Sequence, residues 1–126
     1  MTAAMTVVGH RHERIAEEIH HEVSAMLAGE LKDPRLEVLV SITEVRVPPD
    51  LKQARIYVTI PGSATEQAAA MKGLRAASGF IRHELVERIQ LRRAPELIFV
   101  LDRSEQYGER IEELLRQVKK EEPPGP

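Results

Sequence analysis

The 126-residue chain is predicted to fold as an α+β sandwich, with helices covering one face of a three-stranded sheet. Its first apolar residues keep helical spacing. Two alternating stretches follow, separated by a short proline-containing turn, which is the pattern of an antiparallel hairpin. A third apolar run lies beyond a long helical segment, so it joins the same sheet through a helical crossover.

From about Gly9 to Leu31, Ile15, Ile19, Val23, Met26 and Leu27 share one helix face, and Glu13, Glu17, Glu18 and Glu22 lie mostly on others. Lys32-Asp33-Pro34 ends that helix, because the residue before proline is pushed out of the α region. Leu36 to Val47 then alternates, with Leu36, Val38, Val40 and Ile42 on the buried side. Pro48-Pro49-Asp50 is a turn. Gln53 to Ile60 alternates again, Ala54, Ile56, Val58 and Ile60 inward and Arg55, Tyr57 and Thr59 outward. Ser63-Ala64-Thr65-Glu66 is a capping-box sequence for the next helix. Ala94-Pro95 terminates the helical region, and Leu97 to Leu101 fits a strand buried on both faces. Ile111, Leu114, Leu115 and Val118 suggest a last amphipathic helix. Residues 1–8 read as a flexible start, 9–120 as one domain and 121–126 as a disordered tail.

The central expectation concerns Met71 to Pro95. Leu74, Ile81, Leu85 and Ile89 form one apolar helix face, yet Gly79 interrupts it and Ser78 is a good N-cap. The stretch therefore reads as two helices meeting at a bend over Ala77, Ser78 and Gly79. A fresh helix N-terminus there offers unpaired N–H groups and partial positive charge to an anion. The alternative is an unbroken helix that uses glycine for close packing and carries solvated arginines.

Composition narrows the function classes. No cysteine is present, which excludes disulfides and thiolate chemistry and suits a reducing cytoplasm. No apolar run is long enough for a membrane span, and the first residues do not resemble a secretory signal. The net charge of −2 hides an asymmetry: residues 1–50 carry −4 and residues 51–100 carry +4. Central positive charge suits a polyanion bound on one face. His10, His12, His20 and His21 lack the i, i+4 spacing of a chelating pair, and His83 reads as a surface residue, so no metal is expected. No phosphate-binding loop or nucleophile–base spacing is present, and catalysis is not expected.

Several motifs together resemble the ribosome-binding factor A family over about Arg11 to Lys119. They are Lys32-Asp33-Pro34-Arg35-Leu36, Val58-Thr59-Ile60, Ala77-Ser78-Gly79-Phe80-Ile81-Arg82 and Leu91-Arg92-Arg93-Ala94-Pro95-Glu96-Leu97. The chain departs from the family at Glu13, where members often have proline. The resemblance implies a type-II KH-like fold, helix-strand-strand-helix-kink-helix-strand, with Ala77-Ser78-Gly79 as an interhelical kink. It also implies a monomeric, non-enzymatic cytoplasmic factor without cofactors that binds free or immature small ribosomal subunits. Such a factor contacts 16S rRNA, supports its late processing, is needed most at low temperature and is associated with assembly GTPases.

On the residues themselves, RNA binding has the stronger physical case. Arginine and lysine neutralise phosphates and release counterions. The only phenylalanines are Phe80 and Phe99 and there is no tryptophan, so base stacking on aromatics is not the main source of affinity. Phe80, beside the bend, reads as core. The candidate RNA-binding residues are Arg75, Ser78, Gly79 and Arg82 around the bend, then Arg88, Arg92 and Arg93, then Arg11 and Arg14. The rival reading is a protein–protein adaptor that docks a partner through its sheet or terminal helix.

Overall fold

The computed structural model describes residues 11–31, 33–36 and 39–121. Helix α1 spans Arg11–Gly29 and a short 3₁₀ turn spans Pro34–Leu36. Strands β1 (Ser41–Arg46) and β2 (Gln53–Thr59) lead into α2 (Ala64–Arg88); β3 (Glu96–Leu101) and α3 (Ser104–Glu121) follow. The sheet order is β1-β2-β3, with β1 antiparallel and β3 parallel to the central β2. Helix α1 packs over β1 and α2 over β3, and the two helices touch each other. This is the expected α+β architecture. The expected flexible start, along with Gly9 and His10, lies outside the described residues; α3 reaches Glu121, and the rest of the expected tail lies outside them.

The core forms where helix periodicity meets strand alternation. Ala54, Ile56, Val58 and Ile60 are buried under Ile19, Val23 and Met26 of α1 and Leu74, Ile81 and Leu85 of α2. Ser63 and Glu66 make the full capping box: Ser63 Oγ accepts from Glu66 N–H at 3.2 Å, and Glu66 Oε1 from Ser63 N–H at 3.1 Å. Gly62, at φ 109°, allows the tight entry, since a Cβ there would sit 3.0 Å from the Glu66 carboxylate. Gln67, buried in the same turn, donates to Ile60 O at 2.8 Å and ties the helix start to the end of β2.

The expected break at Ala77-Ser78-Gly79 does not occur. Helix α2 is continuous for 25 residues, and Ser78 Oγ donates back to Leu74 O at 3.3 Å instead of capping a new helix. Burying Leu74, Ile81 and Leu85 in one core requires a single helical phase across the glycine. An interior glycine costs about 1 kcal/mol, less than leaving two sets of helix-end groups without partners. Close packing by glycine operates one stripe earlier: a Cβ on Gly73 would lie 3.2 Å from Arg35 and Leu36, whose 3₁₀ turn rests on it.

Three smaller expectations change. Strand β1 is shorter than Leu36–Val47: Leu36 closes the 3₁₀ turn, Val38 lies outside the described residues, and a bulge between Ile42 and Glu44 turns Val45 toward the core. Strand β3 buries Leu97 and Phe99, but Ile98 and Val100 on the other face are only half-buried, because no described helix covers that side of this edge strand. Phe80 is 47% exposed and is not core.

Asp33 closes the turn after α1. Its carboxylate accepts from the Arg35 guanidinium at 2.6 and 3.0 Å and from Arg35 N–H at 2.9 Å. The side-chain bonds, then the backbone bond, pull its pKa from 3.8 down to about 2. A depressed carboxylate pKa stabilises the fold above the unfolded pKa, and that contribution disappears as pH falls through the folded value. The urea midpoint of the wild type is therefore expected to drop between about pH 4 and 2 more steeply than that of Asp33→Asn. Parallel pH profiles would show that the Asp33–Arg35 turn contributes nothing.

Candidate nucleic-acid interface

The cations predicted from sequence separate into three groups. The first lines a cleft of about 710 Å³ where the start of α1, the β1–β2 turn and the α2–β3 connection converge. Arg11, Arg82, Arg92 and Arg93 meet there, joined by Lys52, against two carboxylates, Asp50 and Glu96. Arg82 Nε donates to Pro95 O at 3.1 Å and its Nη2 to Ala94 O at 3.3 Å, which fixes the loop carrying Arg92 and Arg93. Arg11, Arg92 and Arg93 are exposed.

Local backbone chemistry shapes the cleft. Helix α2 leaves through Ile89 as its C-cap and Gln90 at φ 51°, with Leu91 N–H bonded to Val86 O at 3.2 Å. That 6→1 bond after a left-handed residue is a Schellman ending. It turns the chain so that Arg92 and Arg93 face outward. On the opposite wall, Leu51 N–H bonds Pro48 O at 3.0 Å and Leu51 takes φ 59°. Asp50 Oδ1 accepts from Lys52 N–H at 3.1 Å. Glu96 N–H donates to Lys52 O at 2.9 Å and clamps the two walls together.

The second group lies along α2. Lys72, Arg75, Gly79 and Arg82, at intervals of three, four and three, form an exposed ridge ending at the cleft. A Cβ on Gly79 would have nothing within 4 Å. Internal packing therefore gives no reason for this glycine. Ala77 and Ser78 are half-buried; Ser78, three residues after Arg75 and four before Arg82, flanks the ridge on the side toward the core.

The third group lies outside the cleft. The Arg88 guanidinium binds Glu30 at 2.6 Å, Glu84 at 3.0 Å and Glu22 at 3.5 Å, and these bonds, Glu30 first, raise its pKa. It latches α1 to α2. Arg14 lines a neighbouring groove with Glu17, Glu18 and Glu22 and is separate from the cationic cleft. Arg88→Met is expected to lower the melting temperature by several degrees, leaving three carboxylates without their shared cation, and to leave RNA affinity unchanged. A stable variant with reduced RNA binding would return Arg88 to the interface.

Sequence reasoning missed Lys52, Asp50 and Leu51. Their only local signal was the Pro48-Pro49-Asp50 turn; their place opposite Arg92 depends on the parallel β2–β3 pairing. His83 and Glu87 pair at 3.4 Å. With Glu84 their ligand atoms lie within 4.8 Å of one another, but Glu84 already binds Arg88, so these groups are explained by ion pairing. No described helix is long and apolar enough to cross a membrane.

Fold and cleft define a small α+β module that presents a cationic concavity at its helix–strand junction. A family model for ribosome-binding factor A matches residues 11–115, and the chain belongs to that family. The ribosome-binding factor A of Caldanaerobacter subterraneus is 44% identical over 118 residues, covering 94% of this chain and 97% of that protein. The crystal structure of ribosome-binding factor A from Thermus thermophilus has the same fold: TM-score 0.62 at 23% identity, covering 71% of this chain and 94% of that one. A homology model of the Thermus thermophilus factor, fitted into a cryo-EM map of its 30S complex, has TM-score 0.52 at 26% identity. It covers 68% of this chain and 93% of that one.

Proposed function

We propose that this chain is a ribosome-binding factor that binds free and immature small ribosomal subunits through 16S rRNA phosphates. It supports late 16S rRNA processing as a binding protein, without turnover. The observation that carries this reading is the five-cation cleft. Its walls are set by backbone hydrogen bonds, so the backbone that carries the positive groups is in place before a ligand arrives and needs little reordering on binding. Family membership and the 30S complex of the Thermus thermophilus relative support the choice of polyanion. Co-sedimentation with purified small subunits tests it: binding at low salt that falls steeply as salt rises is expected. Salt-independent binding, or none, would contradict it.

The Lys72–Arg82 ridge extends the interface, and Gly79 leaves room on it for a phosphate strand to approach the helix backbone. Gly79→Ala is expected to raise stability by about 1 kcal/mol, as helix propensity dictates, while weakening subunit binding. Thermal melts and co-sedimentation read the two signs separately. Equal or tighter binding by the alanine variant would remove Gly79 from the interface.

A protein-docking role has one observation of its own. Ile111, Leu114, Leu115 and Val118 form an apolar stripe on α3, 38% to 61% exposed. Replacing Leu114 and Leu115 by glutamine separates the two readings: subunit binding is unchanged if the cleft carries it.

A further inference from the structure

The cleft has more than charge. Behind its cationic rim lies an apolar wall of Leu51, Leu91 and Ala94, each half-buried, above the buried Ile15, Val47 and Pro95. A double helix has little use for such a wall. Duplex RNA turns its phosphates outward and keeps its bases inside a deep, narrow major groove. A phosphate alone has no apolar part. The unit that carries both an anion and a flat ring with apolar faces is a single nucleotide out of its stack.

Backbone conformation at the same place points the same way. Among the described non-glycine residues, only Leu51 and Gln90 have positive φ, and both line this cleft. Gln90 is accounted for by the Schellman ending of α2. Leu51 is not a helix cap, and leucine is a poor residue for the left-handed region. The turn holds it there with its side chain in the wall, and strain of this kind concentrates at ligand clamps.

We propose that the cleft takes one unpaired nucleotide of a single-stranded segment, its base against Leu51 and Leu91 and its phosphates on Arg92, Arg93 and Lys52. The proposal rests on the cleft being the RNA site. The same chemistry could be met by a free nucleoside monophosphate, and the experiment separates the two sources.

Fluorescence anisotropy of the full chain with a labelled single-stranded oligoribonucleotide is the test. Its comparisons are the same strand annealed to its complement, the strand with abasic sites, and competition by nucleoside monophosphates. The single strand is expected to bind about tenfold tighter than the duplex, and abasic sites to remove most of that advantage. Leu51→Asn keeps a residue that accepts the left-handed backbone, and should weaken the intact strand but not the abasic one. Because the abasic comparison uses unaltered protein, it stands even if that variant folds poorly. Equal affinity for duplex and single strand, or indifference to abasic sites, would overturn the assignment. Displacement by micromolar nucleoside monophosphate would overturn it in favour of a free nucleotide. If Arg92→Glu/Arg93→Glu leaves subunit binding intact, the underlying RNA-site reading itself fails; base-independent but arginine-dependent binding defeats only the nucleotide assignment.

Discussion

Replacing Arg92 and Arg93 together by glutamate is expected to weaken binding to free small subunits about a hundredfold at low salt. Each arginine is exposed on the Schellman exit of α2, and among the described residues no carboxylate pairs with either, so both charges are available to phosphate. Opposite charges at about 4 Å in high dielectric interact by about 1 kcal/mol, and reversal changes the formal charge of the cleft by four. The loss should shrink as salt rises. Removing two phosphate contacts from a single-stranded region should also make the plot of log affinity against log salt shallower by about 1.4. Because neither side chain is buried, stability should stay within about 0.5 kcal/mol of wild type. Filter binding of labelled subunits across a salt series measures the affinity and its slope. An unchanged slope would place the contacts elsewhere.

Ile56→Ala is expected to be the most damaging substitution to the fold, at about 3–4 kcal/mol. Ile56 is fully buried on the central strand, opposite Val45 of β1 and Phe99 of β3, beneath both helices. Every layer meets there, so no neighbour can collapse into the space without breaking a strand pair. Ile56→Val removes one methylene and should cost about 1 kcal/mol. Urea denaturation compares them. A loss below about 1.5 kcal/mol for the alanine variant would mean that the core relaxes more than its strand register suggests. At a typical domain stability of about 5–15 kcal/mol, the expected loss is a large fraction of the total.

Local rules were legible in the sequence. The Ser63–Glu66 capping box, the inward set Ala54, Ile56, Val58 and Ile60, and the order of helices and strands all appear as periodicity and cap chemistry suggested. The failures have one physical origin, tertiary packing overriding local preference. Ser78 and Gly79 favour a helix end locally, but one core face shared by Leu74, Ile81 and Leu85 holds the helix together. The β1 bulge depends on how β1 pairs with β2, which its own alternation does not encode. Phe80 stays half-exposed because the unbroken helix turns Leu74, Ile81 and Leu85 to the core, and Phe80 lies about 100° round the helix from Ile81.

The candidate site was partly legible for the same reason. Arg82, Arg92 and Arg93 were visible as a charge cluster near one helix end, and the cleft does gather them. Arg88 belongs to the same sequence cluster, yet it faces α1 and is taken by Glu22, Glu30 and Glu84. Lys52 is distant in sequence and enters through the parallel β2–β3 pairing, which the Glu96-to-Lys52 backbone bond extends. Whether an arginine is available or serves as a latch is decided by acids that the fold brings to it: Glu22 on α1 and Glu30 just past its end, beside Glu84 one turn away on its own helix.

Hydrogen–deuterium exchange of the protein, free and bound to the small subunit, tests the cationic cleft most directly. New protection at residues 89–96 and at 50–52 is expected on binding, with α3 exchanging as in the free protein. Protection confined to α3, with the cleft segments unchanged, would contradict the account.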